Sequence, residues 1–359
     1  MINLDDSKIY NQTNSNKQVL QSIDFLDKQL EHSFEESLKI NIPEEYTNFN
    51  KIVVCGMGGS RFTPLIIKEL FKEELTIPYI INDDYHLPGF VDEKTLVILS
   101  SYSGTTEEVL FCGKKALEKK AKLAAVSLGG EIKPFIEGIK APAYFFNHKY
   151  NPSNQPRIGF GYLIGGHLGL LIKLGFLENE RNIINQAIKK VPFLMKDLKT
   201  SVAKKNNPAK QLALQVYERY PYYIVSEFLN GVANGLANQT NETAKSISSF
   251  RIIPELNHHL MEGLKFPSGL KKMAIFIFFY SSIYSSPIKK RFHITKDVVE
   301  QNNIETVWHE VKGENKVEQA LYLMGLGSYF TFYLSTLYQQ NPAIVPFVDY
   351  FKKKLKELK

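Results

Sequence analysis

The sequence predicts an α/β fold built on parallel sheets in two lobes, and three observations lead there. The 359 residues are 44% hydrophobic, long and apolar enough for a large core and for two domains or one large two-lobed unit. From residue 51, short continuous apolar runs alternate with amphipathic stretches at helical spacing, the pattern of strands covered by helices on both faces. The strand, turn, helix theme returns in the second half as a loose internal duplication.

Taken in order, Leu20, Ile23, Leu26, Leu30, Phe34 and Leu38 predict a helix over Val19 to Leu38, stopped before Pro43. It belongs to a leader over 1–48. A first subdomain, 49–177, follows. Its strands are expected at Ile52 to Cys55, Pro78 to Asn82, Thr95 to Ser100, Leu123 to Leu128 and Ala143 to Phe146. Helices are expected at Arg61 to Phe71 and Thr106 to Lys120. Asn151 to Gly161, rich in Pro and Gly, connects to a buried helix at Gly161 to Leu177. The charged, amphipathic segment Glu178 to Lys205 opens the second subdomain, 178–359. There Tyr222 to Ser226 and Met273 to Tyr280 read as strands, and Asn230 to Ser246 and Val317 to Tyr338 as helices.

Composition narrows the function. The net charge is +7, but the charges are spread along the chain and the densest basic run is Lys352, Lys353, Lys354, so no nucleic acid partner is expected. Cys55 and Cys112 are far apart in sequence and form no CxxC motif; two buried thiols in a reducing cytoplasm are expected. His148, His167 and His293 lack ligand spacing, and no metal is assigned. The polar N-terminus carries no signal-peptide pattern. The apolar stretches Gly161 to Leu177 and Tyr322 to Tyr338 contain too many interruptions for a membrane span. Both are more hydrophobic than a monomer's surface should be, which leads to the expectation of a homodimer.

Two loops carry chemistry. Val53 to Cys55 runs into Gly56-Met57-Gly58-Gly59-Ser60, where glycines permit a tight turn and the following helix N-terminus favours an anion. Arg61 breaks a GxGxxG match and no P-loop lysine follows, so this loop alone is as compatible with a plain turn. The second, Ser101-Tyr102-Ser103-Gly104-Thr105-Thr106, places five hydroxyls in six residues between a buried strand and a helix starting at Glu107. Helix capping accounts for one or two of them. A phosphate accounts for all, and both loops belong at the C-terminal ends of parallel strands, where ligands bind in open α/β sheets.

GMGGS and SYSGTTEE resemble the two signature loops of the sugar isomerase domain, a flavodoxin-like αβα fold that holds phosphosugars. Asn238 to Lys245 (NQTNETAK), Pro254 to His259 (PELNHH) and Asn341 to Val345 (NPAIV), followed by Lys352, resemble in order the motifs of bifunctional phosphoglucose/phosphomannose isomerases. The resemblance implies two flavodoxin-like subdomains and a cofactor-free, cytoplasmic aldose–ketose isomerase acting on glucose 6-phosphate, and possibly mannose 6-phosphate, with fructose 6-phosphate. Carried over by residue, it implies that Gly58, Gly59, Ser60, Ser101, Ser103 and Thr106 hold the phosphate. Glu242 would be the base that moves the proton between C1 and C2, Arg157 would stabilise the enediolate, and His258 and Lys352 would assist ring opening, His258 from the partner of a dimer with shared sites. An enediolate route needs such a carboxylate and a fixed cation. Each residue also has a plain structural alternative as a surface or packed side chain. The sequence departs from the family pattern at Arg61, where a glycine is usual and where the cation would add a phosphate contact or narrow the pocket. It departs again at Ala343, where Thr is usual beside the sugar's C2, and at Leu260, which replaces an acid. The competing class is a non-catalytic phosphosugar sensor; residues 1–48 offer no DNA-reading module to support it. Ile2 stands where an aminosugar-forming amidotransferase would need its nucleophilic Cys.

Overall fold

The fold is described from a computed structural model and covers residues 2–358. Helices α1 (Asn14–Asp24) and α2 (Leu26–Ser37) lead into strand β1 (Lys51–Cys55), α3 (Gly59–Leu70), β2 (Tyr79–Asn82), β3 (Thr95–Ser101), α4 (Glu107–Glu118), β4 (Lys122–Ser127), α5 (Ile132–Gly138), β5 (Ala143–Phe145) and α6 (Phe160–Lys173). The second half continues with α7 (Arg181–Leu194), α8 (Pro208–Val216), β6 (Tyr220–Ser226), α9 (Asn230–Thr243), β7 (Ser249–Ile253), α10 (Leu270–Met273), β8 (Ala274–Tyr280), α11 (Ser286–Gln301), β9 (Glu305–Glu310), α12 (Lys316–Leu337) and α13 (Pro346–Glu357).

Two parallel sheets result, ordered β2-β1-β3-β4-β5 and β7-β6-β8-β9. Their continuous apolar strands are explained by burial on both faces. In the first sheet Val53, Val97, Leu99 and Ala125 meet α4 and α5, while Ile52, Val54, Ile98 and Val126 face the main core. Strands β7 and β9 were not expected from the sequence because their residues are mostly half-buried, and SFRII and ETVWHE lack an unbroken apolar run.

The expected helix over Val19 to Leu38 is two helices separated at Phe25. It starts five residues earlier, because the Thr13 side chain accepts the Asn16 N–H and caps α1. Helix α2 lies directly on α6. The hydroxyls of Ser33 and Ser37 donate to the carbonyls of Gly161 and Gly165 at 3.0 and 3.1 Å, and a Cβ on Gly165 would sit 2.0 Å from the Ser33 hydroxyl. This close approach accounts for the glycines of α6. Residues 160–172 of α6 and 317–337 of α12 are all buried within the chain. Their apolarity is therefore satisfied by intramolecular packing, and it gives no ground for a dimer. No helix is long and apolar enough to cross a membrane among the described residues. Cys55 and Cys112 are buried and unbridged, and their thiols meet between β1 and α4.

Candidate active site

Both hydroxyl loops leave the C-terminal ends of adjacent strands, β1 and β3. Gly58 has φ +51° and ψ −120°, a left-handed conformation that costs an L side chain and suits glycine, and α3 begins one residue later with no side-chain cap. A Cβ on Gly56 would sit 2.5 Å from the Ser60 carbonyl, so the turn closes only without one. The Ser60 hydroxyl, nearly buried, accepts the Tyr102 N–H at 2.8 Å and thereby joins the two loops. Its own proton has no protein acceptor among the described residues. Ser101 and Thr106 hydroxyls are 2.8 Å apart, and Ser101 also accepts the Gly104 N–H at 3.0 Å. Ser103 Oγ lies 3.1 Å from Thr105 Oγ1 and accepts the Thr105 N–H at 3.3 Å. Thr106 occupies the N-cap of α4 but makes no capping hydrogen bond. Thr106 is thus not a capping hydroxyl, and the N-termini of α3 and α4 both begin at these hydroxyl-bearing loops.

A second group adjoins it through the 151–159 connector. A Cβ on Gly59 would lie 3.5 to 3.7 Å from the backbone of Pro156 and Arg157, and the Asn151 amide donates to the Tyr102 hydroxyl at 2.7 Å and the Gln155 carbonyl at 3.1 Å. Arg157 is only 2% exposed. Its five N–H donors are all engaged: Nε with Thr243 Oγ1 at 3.2 Å, Nη1 with Gln155 Oε1 at 2.9 Å and Glu242 Oε2 at 3.4 Å, Nη2 with the carbonyls of Pro342 at 2.5 Å and Ala343 at 2.8 Å. The Gln239 amide holds the Arg157 carbonyl at 2.8 Å from one turn back on α9. Glu242, in the last turn of α9, is half-buried, and its contact with Arg157 is the longest of the five.

The structure thus brings together Gly58, Gly59, Ser60, Ser101, Ser103 and Thr106 on one side and Arg157 and Glu242 on the other. It does not bring the remaining two. His258 ends a short 3-10 turn, exposed, with no hydrogen bond from its ring among the described residues. Lys352 lies on α13, all of whose described residues are exposed. Of the departures, Arg61 turns to Asp83 at 2.5 Å and Asn234 Oδ1 at 3.1 Å, so its charge is neutralised beside the loop. Ala343 contributes its carbonyl to Arg157, and Leu260 packs half-buried against the core.

Lys245 is the residue whose role the sequence left unassigned. Its ammonium donates to the carbonyls of Glu242 at 2.7 Å and Asn341 at 2.8 Å, tying the end of α9 to the segment that holds Arg157. Burial, and then the neighbouring Arg157 charge, depress its pKa to about 8, against an opposing pull from Glu242. Its position three residues after Glu242, past the helix end, was the available signal. No three His, Cys, Asp or Glu side chains are grouped to hold a metal ion among the described residues.

Comparisons with known proteins identify the family and the fold. The bacterial phospho-glucose isomerase C-terminal SIS domain family matches residues 205–355. A bifunctional phosphoglucose/phosphomannose isomerase of Caldicellulosiruptor bescii is 32% identical over 95% of this chain and 100% of its own, and that of Thermoplasma volcanium 29% identical over 90% and 95%. Among solved structures, a hypothetical protein from Thermus thermophilus superposes with a TM-score of 0.74 at 14% identity over 98% of this chain and 92% of its own. Tagatose-6-phosphate ketose/aldose isomerase from Escherichia coli does so with 0.66 at 11% identity, over 93% and 96%. At those identities the structures establish a shared fold.

Proposed function

Because the chain belongs to the family of bifunctional phosphoglucose/phosphomannose isomerases, we propose that the cleft between the hydroxyl loops and the Arg157–Glu242 pair is where it isomerises hexose 6-phosphates. The protein is an aldose–ketose isomerase that interconverts glucose 6-phosphate with fructose 6-phosphate. Mannose 6-phosphate is the second aldose.

The observation that carries the site assignment is the 3.4 Å contact between Glu242 Oε2 and a buried guanidinium whose other four N–H groups are held more tightly. In the proposed complex the phosphate sits on Ser60, Ser101, Ser103 and Thr106 and the two helix N-termini. The C1 and C2 oxygens then enter between Glu242 and Arg157 by displacing that weakest contact. Glu242 removes the proton from C2 of the aldose, and the electrons move into the C1–C2 bond as the C1 oxygen gains charge. The same carboxyl returns the proton to C1 while the C2 hydroxyl passes its own proton to the C1 oxygen, leaving a carbonyl at C2 and a hydroxyl at C1 and completing the ketose. The Arg157 Nη1–H, freed from Glu242, stabilises the enediolate oxygen with a cation that its four remaining acceptors hold in place. These steps need no cofactor.

A homodimer with shared sites belongs to the same reading. His258 is exposed with no hydrogen bond from its ring among the described residues, and α13 with its approach presents Ile344, Phe347, Tyr350 and Phe351 to solvent, Phe347 at 87% exposure. A second copy that covered these groups would supply His258 for ring opening and would place Lys352 against the sugar. Mixing Glu242→Gln with His258→Ala subunits then restores up to about a quarter of the activity at random pairing. No recovery after verified subunit exchange overturns the shared site.

The decisive experiment incubates the purified protein with glucose, mannose and fructose 6-phosphates in heavy water and follows interconversion and deuterium at C1 and C2. Interconversion with exchange supports the enediolate. Tight binding without turnover supports a sensor instead. The cytoplasm is the proposed compartment, as the substrates are phosphorylated.

A further inference from the structure

Helix α3 contains a proline, Pro64, four residues after Ser60. In a regular helix the Ser60 carbonyl would accept the N–H of residue 64, and proline has none to give; its ring also pushes that carbonyl aside. The orphaned acceptor belongs to the residue whose side chain ties the two hydroxyl loops together. A buried tertiary chain supplies the missing donor. Ser100, at the end of β3, donates its hydroxyl to the Ser60 carbonyl at 2.8 Å, and His167 Nε2, on α6, lies 2.9 Å from the same Ser100 oxygen. With the Ser100 proton committed to Ser60, its oxygen must accept from His167, which fixes the Nε2–H tautomer. His167 is fully buried and its Nδ1 has no hydrogen-bond partner among the described residues. Leaving a buried acceptor unpaired is costly, and a hydrophobic residue at 167 would avoid that cost. The imidazole is therefore unexplained by packing and explained by what its other nitrogen does. Burial also holds its pKa down to about 3, so the ring stays neutral, with one donor, throughout the physiological range.

We propose that His167 is a positioning residue for the phosphate site: through Ser100 it replaces the helical hydrogen bond that Pro64 removes, and so holds Ser60 where its side chain can clamp Tyr102 and direct its proton to the ligand. The proposal rests on the reading of the two loops as a phosphate cradle. Without the His167 donor, the Ser100 hydroxyl is free to rotate, the Ser60 carbonyl loses its partner, and the first turn of α3 relaxes away from Tyr102. Phosphate affinity falls while the chemistry at C1 and C2, built on other elements, is retained.

The test uses inorganic phosphate binding by calorimetry, KM and kcat for fructose 6-phosphate, and hydrogen exchange of the Tyr102 amide. His167→Phe is expected to weaken phosphate binding and raise KM together, each roughly 10-fold, with kcat changed less than about threefold, since one hydrogen bond is lost. Tyr102 exchange accelerates in the same variant. Ser100→Ala, a smaller change, gives the same result should His167→Phe fold poorly. His167→Gln, which keeps an N–H donor, recovers part of the affinity. Adding Pro64→Ala to His167→Phe restores the helical N–H and with it phosphate affinity and Tyr102 protection, a rescue that a general packing role for His167 would not produce. Unchanged Tyr102 exchange in folded His167→Phe and Ser100→Ala proteins, or no rescue by Pro64→Ala, overturns the proposal. If the wild-type protein does not bind phosphate, the cradle reading fails instead, and Tyr102 exchange still decides whether His167 holds the clamp.

Discussion

The two halves of the chain repeat one scaffold and use it in opposite ways. Strand β1 lies between β2 and β3 as β6 lies between β7 and β8, and each is followed by a tight turn into a helix. At the first turn Gly58 takes φ +51°, with nothing within 4 Å of where a side chain would begin. At the second, Glu227 takes φ +47° and brings a carboxylate to the turn. That carboxylate accepts the Ser285 N–H at 3.2 and 3.3 Å and the Ser285 hydroxyl at 2.6 Å, at the N-cap of α11, the counterpart of Thr106 at α4. The neighbouring hydroxyls are committed too: Ser226 donates to the Ile253 carbonyl and Ser281 to Gln319 Oε1. On the proposed reading, the first half leaves its strand-end donors free for an anion, whereas the second half has supplied its own in Glu227.

The largest expected effect comes from the chemistry proposed for Glu242. Glu242→Gln keeps the size of the side chain and much of its hydrogen bonding but cannot accept a proton. Its kcat should fall about 100- to 10,000-fold, with phosphosugar affinity within a few-fold of wild type. Retention of more than a tenth of wild-type turnover would remove Glu242 as the base. The next largest effect separates the two crevices. Ser103→Ala combined with Thr106→Ala should weaken phosphate and substrate together by about 10-fold or more, whereas Ser281→Ala leaves both unchanged. Equal losses from the two halves would mean that the anion site is not where the first-half loops converge.

Much of this was legible in the sequence because it depends on local chemistry. Apolar runs identified every strand buried on both faces, and loop composition marked the two hydroxyl loops proposed to hold phosphate. The strands β7 and β9, with mostly half-buried residues, carried no run to read, unlike the edge strands β2 and β5 of the first sheet. The apolarity of α6 and α12 was legible, but not that α2 and the rest of the core would cover it. The motif resemblance marked Arg157 and Glu242, yet their pairing and the four acceptors that hold the guanidinium come from segments up to 186 residues away. Lys245, His167 and Glu227 act through contacts that only the fold creates.

A smaller effect tests Lys245. Its pKa is depressed from 10.5 to about 8, so the group loses its charge within an accessible pH range. If its ammonium holds the Glu242 and Asn341 carbonyls for catalysis, kcat/KM declines as pH rises through about 8. Lys245→Arg, which stays charged, moves that decline upward. Folding linkage has the opposite sign. Between about pH 8 and 10.5 the unfolded chain keeps a proton that the folded chain has released, so this group's contribution to stability increases with pH, and Lys245→Met removes that increase. A basic limb that is identical in wild type and Lys245→Arg would show that another group titrates there.

The smallest effect bears most directly on the two crevices. Glu227→Ala deletes the built-in anion and leaves an L residue at positive φ, while Glu227→Gly deletes the anion and removes the conformational penalty. Loss of the bonds to Ser285 should cost about 1 kcal/mol, near the low end for a charged acceptor because the site is partly open to solvent. Glycine should recover about that amount over alanine, a difference of roughly 1 °C in Tm for a chain of this length. Both variants expose the Ser285 N–H and hydroxyl at the start of α11, an arrangement like the one proposed to hold phosphate in the first half. Phosphate at millimolar concentration should therefore raise the Tm of Glu227→Gly by a degree or more beyond its effect on wild type, and chloride at equal ionic strength should not. An identical phosphate response in the two proteins would mean that a vacated crevice is not enough, and that the paired hydroxyls of Ser101 and Thr106, absent from the second half, are what make the first one bind.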